Sequence, residues 1–333
     1  MVIRCKLIFP LMEMTVGRHF LGATTTRISE LNRNSQKKIA IGIGFALLAA
    51  VLEALGDVMP KPMMSSEIPS SPLVLVFISY LANGILFTPF ALSKKNRKKR
   101  NALNRRTISS LIIVGVIEVF STIFFFYGLK ETTAINAKIL LNSEIVFGII
   151  IALTFLGERL RKIETLPLSL IIIGAVLVPF LQDGITGKVF STNILGDIFV
   201  LISGLLLGTV VSLYKYISDS IRLSQIMQIT SFVGAGTCFI MMISLGTPIS
   251  IDDSQIPGIL FVGIFGIGIA AVCYISAMKY IGAVNTILVF SSTTVFGTVF
   301  SNLLLAENIL VNNVVSISFI IVGITFLRKK ISD

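Results

Sequence analysis

NAKILLNSEIVFGIIIALTFLGERL (136–160) and NTILVFSSTTVFGTVFSNLLLAENI (285–309) align without a gap at a shift of 149 residues. Identities include Asn136/Asn285, Val146/Val295, Phe147/Phe296, Gly148/Gly297, Leu156/Leu305 and Glu158/Glu307. Upstream, Lys130/Lys279 and Ala134/Ala283 continue the match; downstream, Ser169/Ser318, Ile171/Ile320 and Gly174/Gly323 extend it. Chance matches between apolar residues are common in such segments. Gapless agreement at Asn, Lys, Gly and Glu is not. A self-match at fixed period marks a duplicated structural unit.

The repeated unit is too apolar for water. The chain is 54% hydrophobic and 14% charged, with mean hydropathy +0.91, whereas a soluble domain carries about 25% charged residues. Its apolar runs are continuous rather than alternating and have the length of membrane helices. In hydrocarbon every backbone amide must be paired internally, which admits only helices or closed barrels. The expectation is an all-α polytopic membrane protein with ten transmembrane helices. They are read at 38–59, 72–92, 107–129, 132–156, 164–181, 194–214, 223–245, 257–278, 283–305 and 311–328. Pro72 and Pro257 open spans, where proline costs least.

Basic residues sort the loops. Arg33, Lys37 and Lys38, the run SKKNRKKRNALNRR (93–106), Arg159, Arg161 and Lys162, Lys215 and Arg222, Lys279, and Arg328 to Lys330 all fall on one side. The other side holds only Lys61, Lys130 and Lys188. By the positive-inside rule both termini are cytoplasmic, as an even number of spans requires. The net charge of +11 is thereby read as a topology signal and as attraction to anionic lipid, so no nucleic acid is expected. Residues 1–37 read as a cytoplasmic N-terminal tail, because Glu13 and Arg18 interrupt its short apolar part. Residues 38–181 and 193–328 form the two halves. Each has five spans, an odd number, so the second enters the membrane inverted relative to the first. Inverted halves let a central site open alternately to either side.

The segments LNSEIVFGIIIALTFLGERL and SSTTVFGTVFSNLLLAENI resemble the two EamA repeats of the drug/metabolite transporter superfamily. The family pattern ends the fourth and ninth spans in a Leu-Gly-Glu-like motif and places a glycine late in the next span. Here these are Leu156-Gly157-Glu158 with Gly174, and Leu305-Ala306-Glu307 with Gly323. The resemblance spans about residues 40–328. It implies ten helices around a central cavity and secondary transport of a small metabolite, often export; a plasma membrane is the expected location. One departure is the missing proline in span four: Ile145 follows Glu144, and Thr294 stands at the matching place. A proline bend is therefore not expected there.

Ionisable groups inside a span cost about 2.5–3.5 kcal/mol each and need a partner or a role. Six polar residues form the candidate substrate site: Glu53, Asp57, Glu118, Lys138, Asn142 and Glu144. At the repeat shift Glu118, Lys138 and Glu144 become Ile267, Ile287 and Thr293. In a looser pairing of spans one and six, Glu53 and Asp57 become Leu207 and Val211. The same helices are built without these charges, so packing does not demand them. Glu53 and Asp57 share a helix face with Ala46, Ala49 and Ala50. Lys138 and Asn142 are expected to face the cavity, with Glu144 about 120° away at its edge. Four acids against one lysine suggest a site that prefers cations and exchanges protons. The alternative is a fixed ion pair, such as that of Lys138 with Glu53 or Glu118, that helps the halves assemble.

Other features have plainer readings. Asn136 and Asn285 are expected to cap helices, and Glu158 and Glu307 to be turn residues. Gly204 and Gly208 have small-xxx-small spacing for helix packing. GIFGIG (263–268) follows no strand, so it is not a dinucleotide fingerprint. The three cysteines are scattered and the one histidine, His19, lies in the tail, so no cofactor or metal is expected. Two further classes stay open: an integral-membrane enzyme on lipid-like substrates, and a non-transporting assembly subunit. Oligomeric state is not readable.

Overall fold

The computed structural model describes residues 36–66, 69–92, 105–155, 166, 169–170, 173, 194–217, 221–282, 286 and 289–331. Every regular element among them is helical. Six helices are long and apolar enough to cross a membrane. They are α1 (Gln36–Met64), α2 (Pro72–Leu92), α3 (Arg105–Glu131), α6 (Ile194–Ile217), α7 (Leu223–Leu245) and α8 (Asp253–Ile281). The stretch read as the fourth span is split into α4 (Ala134–Leu141) and α5 (Ser143–Phe155). The stretch read as the ninth span ends in α9 (Thr293–Leu305), and the stretch read as the tenth holds α10 (Val311–Ile331). The N-terminal tail, most of the fifth span, the 93–104 loop and Glu158 lie outside the described residues.

The exterior is that of a protein in lipid. Ile240, Ile243 and Leu245 on α7 and Leu303 on α9 are exposed apolar side chains. Buried polar groups lie inside: Ser79, Asn83, Ser121, Asn136, Lys138 and Asn142 are each shielded from solvent. α3 packs on α6 and α7, α2 on α7 and on the middle of α8, α5 on α6, and α4 on α9.

Span four bends without proline. α4 ends at Asn142, whose backbone N–H reaches back to the carbonyls of Ile139 and Leu140. Its side-chain Nδ2 donates to the carbonyls of Lys138 and Ile139 at 3.2 and 3.3 Å. Asparagine competes with the helix for its own backbone acceptors, and here that competition interrupts the helix. In the second half the turn falls at Ser291 and Ser292, the positions matching Asn142 and Ser143. Span eight departs differently, with Val262–Ile269 forming a π-helix. π-Helical turns within α-helices are frequent at functional sites.

Glycines set the closest helix contacts. A Cβ at Gly56 would lie 2.6 Å from the Gly266 Cα, so α1 and α8 meet backbone to backbone. Gly204 and Gly208 seat α6 on α5 as their spacing suggests: a Cβ at Gly208 would lie 2.6 Å from the Glu144 carbonyl oxygen and 2.7 Å from the Gly148 nitrogen. Gly208→Ala is therefore expected to force α5 and α6 apart and cost about 1–3 kcal/mol. A lowered thermal-unfolding midpoint in detergent would register this; an unchanged midpoint would mean that the contact yields freely.

Candidate functional site

A cavity of about 150 Å³ opens between the helices. Glu53, Asp57, Glu118 and Glu144 all line it, so four of the six candidate residues meet at one place. Lys138 and Asn142 do not line it, which reverses the orientation expected for span four. The helix is interrupted at Asn142, between Lys138 on α4 and Glu144 at the start of α5, and only Glu144 lines the cavity. Lys138 is left with 2% of its side chain exposed, its stem lying where a Cβ at Gly297 would come within 2.7 Å of Lys138 Cγ.

Lys138 does form an ion pair, but with a different acid from those expected. Its Nζ donates to Asp57 Oδ2, while Glu53 and Glu144 act on it through charge alone. Neither Glu53 nor Glu118 is its direct partner. Asn142 Nδ2 donates to Thr294 Oγ1 at 2.5 Å, tying span four to span nine. Thr293 Oγ1 donates to the Ala50 carbonyl at 3.1 Å. The alanine face of α1 is thus a packing face, with Ala46, Ala49 and Ala50 fully buried, and the acids sit where it meets the cavity.

Glu118 has a different set of neighbours. The Tyr214 hydroxyl donates to Glu118 Oε2 at 2.6 Å. Thr122 Oγ1 donates to the Glu118 carbonyl at 3.1 Å and shares a hydrogen bond of 2.9 Å with the Tyr80 hydroxyl. Ser121 donates to the Ser203 carbonyl at 2.9 Å beside them. Tyr80, Tyr214 and Tyr274 all line the cavity, with Phe125, Phe126 and Phe290. Sequence reasoning passed over the three tyrosines. A tyrosine inside an apolar span is a usable signal, because its hydroxyl must find a partner there.

At the end of α4 remote from the cavity, Glu307 does more than turn the chain. Its Oε1 accepts from the Ala134 N–H at 2.8 Å and its Oε2 from the Ile135 N–H at 3.0 Å. Lys61 Nζ pairs with Glu307 Oε1 at 3.2 Å. The loop after α9 therefore caps α4. Asn136, expected to cap, does not: Thr133 Oγ1 accepts from the Asn136 N–H at 3.2 Å. The Asn136 side chain instead accepts from Asn313 Nδ2 at 3.0 Å, buried against α10.

The family model described as "EamA-like transporter family" matches residues 40–180 and again 194–328. The chain belongs to that family. It is a multi-pass membrane protein of a transporter family. A Clostridium kluyveri protein described as an uncharacterized transporter is 28% identical over 292 residues, covering 85% of this chain and 91% of the relative. A Methanothermobacter thermautotrophicus protein of the same description is 26% identical over 273 residues, with 78% of each chain covered. A solved structure titled "Crystal structure of protein" shares the fold, with a TM-score of 0.62 at 15% identity, covering 90% of this chain and 99% of that one.

Proposed function

We propose that this EamA-family chain is a secondary transporter that moves a small metabolite by alternating access, in the direction of export, across a plasma membrane. The observation that carries the reading is the cavity: four carboxylates face a hollow inside a body whose exterior is apolar. Charges are not kept in such a place for packing, since the matching helices of the other half lack them. Ten spans in two inverted halves, with both termini cytoplasmic, complete the proposal.

Contacts related by the repeat support the inverted arrangement. A Cβ at Gly196 would lie 2.9 Å from Glu131 Cβ, and one at Gly42 would lie 2.8 Å from Tyr280 Cβ. Gly42 matches Gly196, and Tyr280 matches Glu131, so the same contact is made once in each direction between the halves. α2 against α7 and α4 against α9 are pairs that such a symmetry maps onto themselves. An assembly subunit would not require two matching inverted halves about a hollow, and an enzyme on lipid-like substrates would need clustered catalytic acids or histidines at a membrane face.

Proton exchange on the cavity acids would couple transport to the proton gradient. E53Q and E118Q are the tests, with uptake followed across pH in proteoliposomes. At least one variant is expected to flatten the pH profile. Unchanged uptake and unchanged pH dependence in both would remove the coupling.

A further inference from the structure

The charges reaching the cavity have one sign. Lys138 stands behind Asp57 with its side chain almost wholly covered, and no lysine or arginine lines the hollow among the described residues. The acids fall into two groups. Glu53, Asp57 and Glu144 surround Lys138 and feel one another's charge. Glu118 stands apart on α3, where its electrostatic and hydrogen-bond neighbours are Tyr214, Tyr80 and Thr230. Within the first group one carboxylate is matched by Lys138. The side chains of Glu53 and Glu144 make no hydrogen bond or ion pair among the described residues, although both line the hollow. The rest of the wall is mostly apolar or aromatic, including Phe125, Phe126 and Phe290, with uncharged hydroxyls from Ser121, Thr122 and Ser203.

We infer that the cavity takes a small organic dication, two amino groups joined by an apolar spine, with one ammonium at Glu118 and the other at Glu53 and Glu144. This rests on the transport reading above. A carboxylate or phosphate would enter a low-dielectric space among acids with no exposed cation to meet it, which is strongly unfavourable. A zwitterion would satisfy one acidic group and set its own carboxylate near the other. A monoamine would leave one group without a counter-charge. A diamine answers both, while its methylenes lie against the rings and its ammonium groups gain from their faces.

The test is counterflow into proteoliposomes with four probes sharing a four-carbon spine: diaminobutane, butylamine, aminobutyrate and succinate. Diaminobutane is expected to exchange fastest, about tenfold above butylamine, the factor that one charge-assisted contact supplies. In E118Q that ratio is expected to collapse towards one, a readout that loss of folded protein would leave unmoved. Equal or faster exchange of butylamine, aminobutyrate or succinate would overturn the dication assignment and leave the transport reading standing. An unchanged ratio in E118Q would overturn the role given to Glu118. Exchange of none of the four, or of any wider panel, by folded protein would overturn the transport reading and this inference with it.

Discussion

Replacing Lys138 with methionine is expected to abolish transport and to lower stability by about 3–5 kcal/mol, the usual effect of leaving a buried charge without its partner. Asp57 would keep a carboxylate beside an apolar side chain, in a helix whose other contacts hold it in place. The companion variant, D57N with K138M, is expected to recover most of the lost stability. Pairs of buried ions are replaced by uncharged groups at little net cost when both go together. The duplicated half argues the same way, since Val211 and Ile287 stand where Asp57 and Lys138 stand. Transport should stay lost in the double variant, because the charge balance around Glu53 and Glu144 changes with it. Thermal unfolding of the three proteins in one detergent decides the matter. A double variant no more stable than K138M would mean that the loss does not come from leaving the Asp57 carboxylate without its partner.

The duplication, the apolar spans and the acids of the cavity were legible because each leaves a mark in one dimension. Identities at one shift reveal a repeat, unbroken apolar runs reveal spans, and a charge absent from one copy reveals that packing does not need it. Glu53 and Asp57 reached the cavity because α1 is regular there, so helical periodicity places them correctly. Periodicity failed at span four. It assumes one unbroken helix, and Asn142 interrupts that helix where its side chain takes the carbonyls of Lys138 and Ile139. The turn then carries Glu144 into the hollow and leaves Lys138 outside it. Partner choice was equally hidden: Asp57, Glu53 and Glu118 all lay within plausible reach of one lysine, and only the crossing of α1 and α4 selects Asp57. The π-helix of α8 has no linear mark either. It answers to contacts made by other helices, with Gly266 pressed against Gly56 and Gly263 against Ser79.

Glu307 presents the second large effect, from a residue first read as a turn. Glu307→Ala is expected to lower stability by about 2–4 kcal/mol, because it leaves two helix N–H groups without a charged acceptor and removes an ion pair. Glu307→Gln should cost less, since its amide oxygen still accepts one N–H but its NH2 faces the other donor. K61M should cost least, about 1 kcal/mol or below, because the Lys61 side chain is 22% exposed and partly exposed pairs contribute little. The ranking, read as unfolding midpoints, separates the cap from the ion pair. If K61M fell as far as E307A, the contacts of Lys61 to Glu307 and to the Thr132 carbonyl, and not the capped amides, would be what matters. The cap belongs to one repeat and α4 to the other. α4 also carries Lys138 one turn beyond the capped amides. Loosening that end is therefore expected to disturb the Lys138–Asp57 pair, so E307A should lose transport in step with stability, although Glu307 does not line the cavity.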